Sequence, residues 1–234
     1  MARTLRIGIA LAAIVAAISI GSFLYLTRGV AAPTEDIQDS IQELATTEAN
    51  HTSQTVYRIS QNDSAVTYTI QEVLNGADKT VVGSTSQVAG DILVNLSDPT
   101  QSKIGELKIN ARTFATDDTR RDNSVARFIL QSEADANQYI VFTPTSISSL
   151  PTSVKVGDEL TLKVTGNLTI AGVTKEVTFD VNTVLKSEDK LTGQATVTVQ
   201  RSDFSLTIPN VPFVANVGDA VTLNLNFVAN AVTA

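Results

Sequence analysis

The sequence predicts an all-β, antiparallel domain carried behind an N-terminal transmembrane helix. Three observations predict it. From Val56 onward, apolar and polar residues alternate with a period of two. Turn residues rather than helical crossovers separate the alternating runs, so neighbouring strands run antiparallel. Residues 7–26 (IGIALAAIVAAISIGSFLYL) form an uncharged run of 20 residues, long enough to cross a hydrocarbon core of ~30 Å as a helix.

The charges around that run set its direction. Arg3 and Arg6 precede it and an acidic stretch follows Arg28. The positive-inside rule places residues 1–6 in the cytoplasm and the rest outside, periplasmic or extracellular, as a single-pass cell-membrane protein. A cleaved signal peptide is the alternative, with Val30-Ala31-Ala32 as the cut. Against it stand an apolar core longer than the usual ~7–15 residues and Pro33 directly after Ala32. Residues 27–55 read as an acidic linker, with Glu35, Asp36, Asp39, Glu43 and Glu48 and no Lys or Arg beyond Arg28. Ile37, Ile41 and Leu44 fall at i, i+4 and i+7 behind Thr34 as a cap, so the segment is either a short amphipathic helix or a flexible tether. His51, in this polar stretch, reads as solvent-exposed.

Residues 56–232 hold about eight alternating runs. Val66, Tyr68 and Ile70 open the series, then Ile92, Val94 and Leu96, then Leu107 and Ile109. A less regular strand covers 139–147. Leu160, Leu162 and Val164, Val177, Phe179 and Val181, Ala195, Val197 and Val199, and Val221, Leu223, Leu225 and Phe227 complete it. Asn75-Gly76, Asp98-Pro99, Gly157-Asp158, Ala171-Gly172, Asp189 and Gly218-Asp219 mark the turns. One stretch breaks the alternation. Residues 118–131 place Val125, Phe128 and Ile129 at helical spacing, with Asp118 or Asp122 as cap.

Composition excludes much chemistry. A chain of 234 residues suits one domain with appendages. It has no Cys, no Trp, one His and one Met, which removes disulfides, thiolate nucleophiles and His-rich metal sites and leaves no cofactor indicated. Beyond residue 32 there are 14 basic against 24 acidic residues, a net of −10, which argues against nucleic acid and against anionic headgroups as a docking surface. Asp91, Glu106, Glu176 and Asp180 fall on polar faces, so none stands inward beside another as paired acid–base chemistry requires. Asp117, Asp118 and Asp122, interleaved with Arg120 and Arg121, read as loop solvation and helix capping. The domain is therefore expected not to be an enzyme.

Periodicity alone leaves open a closed barrel or a two-sheet sandwich. The dry faces are nearly all small aliphatics, with Tyr68, Phe179 and Phe227 as the aromatic exceptions. Such an interior either packs solid or leaves room for an alkyl chain. Arg112, Arg120, Arg121 and Arg127 cluster within sixteen positions of an acidic domain. They could receive a phosphorylated headgroup, or be neutralised by the neighbouring carboxylates.

Several strings carry a resemblance: Tyr57-Arg58-Ile59 with Ser64-Ala65-Val66-Thr67-Tyr68, Val82-Gly83, Gly90-Asp91-Ile92, Thr119-Arg120-Arg121-Asp122 with Phe128-Ile129-Leu130, and Tyr139-Ile140-Val141-Phe142. The most specific block is Gly166-Asn167-Leu168-Thr169-Ile170-Ala171-Gly172-Val173-Thr174-Lys175-Glu176-Val177, followed by Arg201-Ser202-Asp203-Phe204. From Val56 to about Val232 the chain resembles the YceI-like family, lipocalin-like polyisoprenoid-binding proteins of bacterial envelopes. The resemblance implies an eight-stranded antiparallel lipocalin-like β-barrel with one short helix, holding a long-chain isoprenoid or acyl lipid. Many members carry His two positions after the Arg-Asp pair, where this chain has Ser124, so their headgroup contacts do not transfer to it. Alternation and charge clustering nominate Val66, Tyr68, Val94, Leu107, Ile109, Phe142, Leu162, Val164, Phe179, Val197 and Leu225 as lining, with Arg112, Arg120 and Arg121 near the head. The competing reading is a filled β-domain serving as an envelope scaffold or adhesion module. An enzyme acting on a lipid intermediate would have only the Arg/Asp cluster to work with. A homodimer is left open.

Overall fold

The computed structural model describes residues 36–44, 54–210 and 214–232. The predicted span at 7–26, Thr34 and His51 lie outside the described residues. Among the described residues no helix is long and apolar enough to cross a membrane.

The alternating runs form one curled antiparallel sheet of thirteen strands. They are β1 (Gln54–Ile59), β2 (Ala65–Leu74), β3 (Ala77–Thr85), β4 (Val88–Ala89), β5 (Asp91–Asn95), β6 (Lys103–Ile104) and β7 (Leu107–Asn110). A short helix α1 (Thr119–Ser124) intervenes before β8 (Tyr139–Ser148), β9 (Glu159–Ile170), β10 (Val173–Ser187), β11 (Lys190–Gln200), β12 (Val214–Ala215) and β13 (Ala220–Ala231).

The excess over eight comes from bends that divide long strands, β6/β7 among them, and from the two-residue β12, which pairs the end of β2. β13 pairs β11 along its length, while its other edge is shared, β2 taking residues 222–226 and β1 residues 229–231. The corner between β1 and β2 is pinned by Ser60 N donating to Val228 O at 2.8 Å and Val228 N donating to Ser64 Oγ at 3.1 Å. Residues 77–95 behave as a second bent run: β3 pairs β2, β5 pairs β1, and β4 pairs β7 on the other side. From β7 the order β8, β9, β10 and β11 leads back to β13, so the sheet curls around a shared apolar interior. The sequence reading passed over β3 because two of its inward positions are Gly83 and Thr85, which write no apolar stripe.

Three rings close on glycines of that interior wall: Phe142 over Gly166, where a Cβ would stand 2.7 Å from the ring, and two more that lie over their direct register partners. Tyr68 is the register partner of Gly83, and Phe227 that of Gly193. A Cβ on Gly83 would stand 2.2 Å from the Tyr68 ring, and one on Gly193 2.6 Å from the Phe227 ring and from Asn182 O. Only glycine lets the rings approach this closely, and this lays them along the sheet instead of across it.

The outer face of β5 departs from expectation. Alternation assigned Ile92, Val94 and Leu96 to the dry side, yet Asp91 and Leu93 are only 1% and 2% exposed, and Asn95 is also buried. The reason is a strap from the acidic linker. Ile37 and Ile41 pack on Ala89 with Tyr139 alongside, around a single tight turn at Ile37–Ser40 capped by Asp36. Residues 36–44 are thus neither an amphipathic helix of the expected length nor a free tether. Asp91 anchors the strap. It accepts from Arg58 Nε at 2.9 Å, from Arg58 Nη2 at 3.1 Å and from Leu44 N at 3.1 Å, while Glu43 pairs with the same guanidinium at 2.8 Å. Asn95, further down, accepts from Ser97 N and Asp98 N, both at 3.0 Å.

Two stability predictions follow from these contacts. Ala171, in the two-residue turn joining β9 to β10, has φ 47° and precedes Gly172 at φ 79°. This left-handed pair suits Asn-Gly and strains alanine, so Ala171→Asn should stabilise the domain by about 0.5–1 kcal/mol. A higher urea midpoint at unchanged slope would show it, and an unchanged midpoint would refute strain at this turn. Asp91→Ala leaves Arg58 with Glu43 alone and frees the Leu44 amide, at a cost of about 2–3 kcal/mol. Limited proteolysis should then cut within residues 36–44 before the sheet is attacked. A strap as resistant as in the parent would contradict the anchoring role.

Candidate functional site

The curled sheet holds two adjoining cavities. The larger, about 500 Å³, is walled by inward residues of β2, β3, β9, β11 and β13, among them Tyr68, Ile70, Val81, Ile170, Val199 and Leu223. Val125, Ile129 and Leu130, together with Phe204, Leu206 and Ile208, close over it. The smaller, about 130 Å³, is lined by Val66, Leu107, Ile109, Phe142, Val164, Phe179, Leu225 and Phe227, among others. Phe114, Ile140, Ile170 and Leu223 line both chambers and stand at their boundary. Phe114 stacks on Tyr68 with ring centroids 5.4 Å apart, and Phe142 meets Phe179 edge-on at 5.0 Å. Together the volumes fall in the range of small-molecule sites, ~300–1,000 Å³.

The helical stretch holds one side of the larger chamber. Asp118 caps α1, accepting from Arg120 N at 2.8 Å. The Arg120 guanidinium, then its backbone amide, holds the Asp118 carboxyl below its ordinary range. After Ser124 the backbone widens into a π turn over Val125–Ile129, with Leu130 N donating to Val125 O at 2.8 Å. The extra residue per turn rotates the face. Val125 and Ile129 reach the cavity, while Phe128, expected beside them, is 42% exposed.

Charge enters the chamber through β2. Val66, Tyr68, Ile70, Glu72 and Leu74 share one face, and Glu72, which the stripe read from sequence stopped short of, is buried there. Arg121 Nη2 pairs with Glu72 at 3.0 Å, and Nη1 with Asp117. Arg120 pairs with Asp118 at 3.2 Å and is mostly exposed. Asp122 accepts from Thr116 N at 2.8 Å and Thr116 Oγ1 at 2.6 Å, which ties α1 to the preceding loop. Burial, followed by the Asp122 charge, pushes the Tyr68 hydroxyl up to about 12, so it keeps its proton at physiological pH.

Of the residues nominated from sequence, Tyr68, Arg120 and Arg121 line the larger chamber. Val66, Leu107, Ile109, Phe142, Val164, Phe179 and Leu225 line the smaller. Leu162 is buried in the surrounding core, and Val94 and Val197 pack against that core; none of the three faces a cavity. Arg112 is turned to the loop before β8, donating to Ser132 O at 2.5 Å, Glu133 O at 3.0 Å and Asp135 at 2.8 Å. Arg127 is buried and paired with Glu133 at 2.9 Å. Ser124 lines the larger chamber. Besides Glu72, the sequence reading missed Phe114, Ile140 and Ile170. Ile170 continues the alternation of Leu160, Leu162 and Val164 through Leu168 and was legible, whereas Phe114 lies in an irregular loop. Among the described residues no group of His, Asp and Glu is arranged to hold a metal ion.

The fold has solved counterparts. The structure of BcnA from Burkholderia cenocepacia superposes with a TM-score of 0.57 at 18% identity, covering 73% of this chain and 98% of that one. A polyisoprenoid-binding domain from Saccharophagus degradans, implicated in plant cell wall breakdown, gives 0.59 at 14% identity over 76% of this chain and 99% of its own. The YCEI protein of Campylobacter jejuni gives 0.50 at 21% identity, over 62% and 82%. No curated protein matches the sequence. The model of the YceI-like domain matches residues 57–229, from β1 through most of β13, and the chain therefore belongs to the YceI-like family.

Proposed function

We propose that this domain binds a long-chain amphiphile, a polyisoprenoid or fatty acyl lipid, and sequesters or carries it without chemical change. The observation that supports this reading is the pair of adjoining, mainly apolar chambers inside the sheet. In it the curled sheet works as an eight-stranded lipocalin-like barrel, the bent runs β1/β2, β3/β4/β5 and β6/β7 each counting as one strand and the two-residue β12 set aside. The chain occupies the smaller chamber and extends into the larger, and the polar end stays beside α1. Each CH₂ removed from water contributes roughly 0.8 kcal/mol. A bilayer offers the chain the same gain, so net affinity depends on fit and on contacts at the polar end. The span at 7–26 would hold the domain on the extracytoplasmic face of the membrane, near its donor lipids.

The full-length chain, expressed in a bacterium and exchanged into amphipol, should release a long-chain lipid on organic extraction in near-stoichiometric amount. Val164→Trp and Leu225→Trp place an indole in the smaller chamber and should each lower the retained lipid by about tenfold while circular dichroism stays that of a folded β-domain. Full retention in both variants would refute the assignment of the interior. The absence of any lipid from the parent chain, with no uptake of added prenyl lipid, would favour a scaffold or adhesion module instead.

A further inference from the structure

The charges lining the larger chamber are already matched to one another. Arg121 is held between Glu72 and Asp117. Arg120 is engaged by Asp118. Arg201, the remaining cation facing the chamber among the described residues, donates to Gly218 O at 3.0 Å and Leu206 O at 2.9 Å, with Asp219 at 3.8 Å. A phosphate entering here would have to displace a carboxylate from a guanidinium. It would also approach the buried Glu72, a like charge in a site of low polarity. The unmatched polar atom is of another kind. The Tyr68 hydroxyl is buried with no hydrogen-bond partner among the described residues, and it can donate. Burial without a partner is costly; the hydroxyl lies against Gly83 and shows no surface to the chamber, so an incoming neutral oxygen supplies the missing acceptor once the ring turns off that glycine.

From this we infer that the ligand's polar end is uncharged and bears a hydrogen-bond-accepting oxygen, such as an alcohol, ketone or ester, and that the Glu72–Arg121–Asp117 group disfavours prenyl or acyl phosphates. The inference rests on the lipid-binding reading above and names the headgroup class within it. Arg121 therefore acts as the counter-ion of a buried carboxylate and Arg120 as that of the α1 cap, and headgroup selection is set by Glu72.

The test uses one chain with three ends: geranylgeraniol, geranylgeranyl phosphate and geranylgeranylamine, each radiolabelled and kept below its aggregation concentration. Equilibrium dialysis against the full-length chain in amphipol should show the alcohol binding about tenfold or more tighter than the phosphate. Glu72→Gln releases Arg121 toward the chamber, so it should raise phosphate affinity about tenfold and leave the alcohol unchanged. Asp117→Asn, at an exposed position, should shift the ratio in the same direction by a smaller factor and keeps the test open if the buried variant fails to fold. A phosphate that binds the parent as tightly as the alcohol overturns the inference, as does a ratio unmoved in every folded variant. If the hydrocarbon tail binds whichever end it bears, with equal affinity, only the headgroup assignment falls. If none of the three binds, the lipid reading itself falls.

Discussion

The open interior depends on a contact between aromatic rings and bare backbone. A curled sheet of this size sits near the limit at which inward side chains alone fill the space. Tyr68 over Gly83 and Phe227 over Gly193 put two of the largest side chains flat on neighbouring strands. Standing upright, the same rings would cross the chamber. The two glycines are not equivalent. A methyl on Gly193 meets the Asn182 carbonyl as well as a ring, whereas on Gly83 the near atoms are all Tyr68. Backbone yields little and a side chain can turn, so the Gly193 contact constrains the wall and the Gly83 contact constrains the cavity.

The polar end of the cavity shows the same economy. Glu72 stands on an otherwise apolar stripe, and a carboxylate buried there without a partner would protonate or pull the strand apart. Arg121 meets that requirement only because Asp118 caps α1 and Asp122 ties the helix to Thr116. The helix therefore has a structural task, positioning one guanidinium over one strand. Its continuation as a π turn gives Val125 and Ile129 to the cavity while turning Phe128 out. Clustered arginines in an acidic domain suggest anion binding when only charge is counted. Pairing changes the meaning of the cluster, and pairing is a matter of distances.

The period of two was enough to assign most strands to an inner and an outer face. Val66, Tyr68, Val164, Phe179 and Leu225 all face a chamber as their alternation implied. It failed wherever a face was decided by something other than strand parity. Asp91 and Leu93 point away from the interior and are still buried, Asp91 because the strap at residues 36–44 docks on it. Leu162 and Val197 share their strands' inner parity yet contribute to solid core. Parity gives direction, not the distance to an opposite wall. Glu72 was legible as the next inward position after Ile70, but a charge ends an apolar stripe when hydropathy is the criterion. Phe114 and the Arg112 contacts lie in irregular backbone, where no period exists to read.

The covered face of β5 bears on how far the domain can stand from a membrane. With the proposed span at 7–26 as anchor, ten peptide steps separate Leu26 from the docked strap at Asp36, an upper bound of about 35 Å. Were the strap undocked, about 28 steps would separate Leu26 from the start of β1 at Gln54, and the upper bound would rise to about 100 Å. The volume explored scales as the cube of that length in the extended limit, and more gently for a flexible chain. On either scaling the docked strap raises the local concentration of cavity relative to bilayer lipid severalfold or more. Under the proposed lipid-binding function, the pair between the half-buried Arg58 and the buried Asp91 would link the stability of one sheet edge to the supply of ligand at the cavity. Loosening the strap would then lower delivery without altering a single residue that touches the chain.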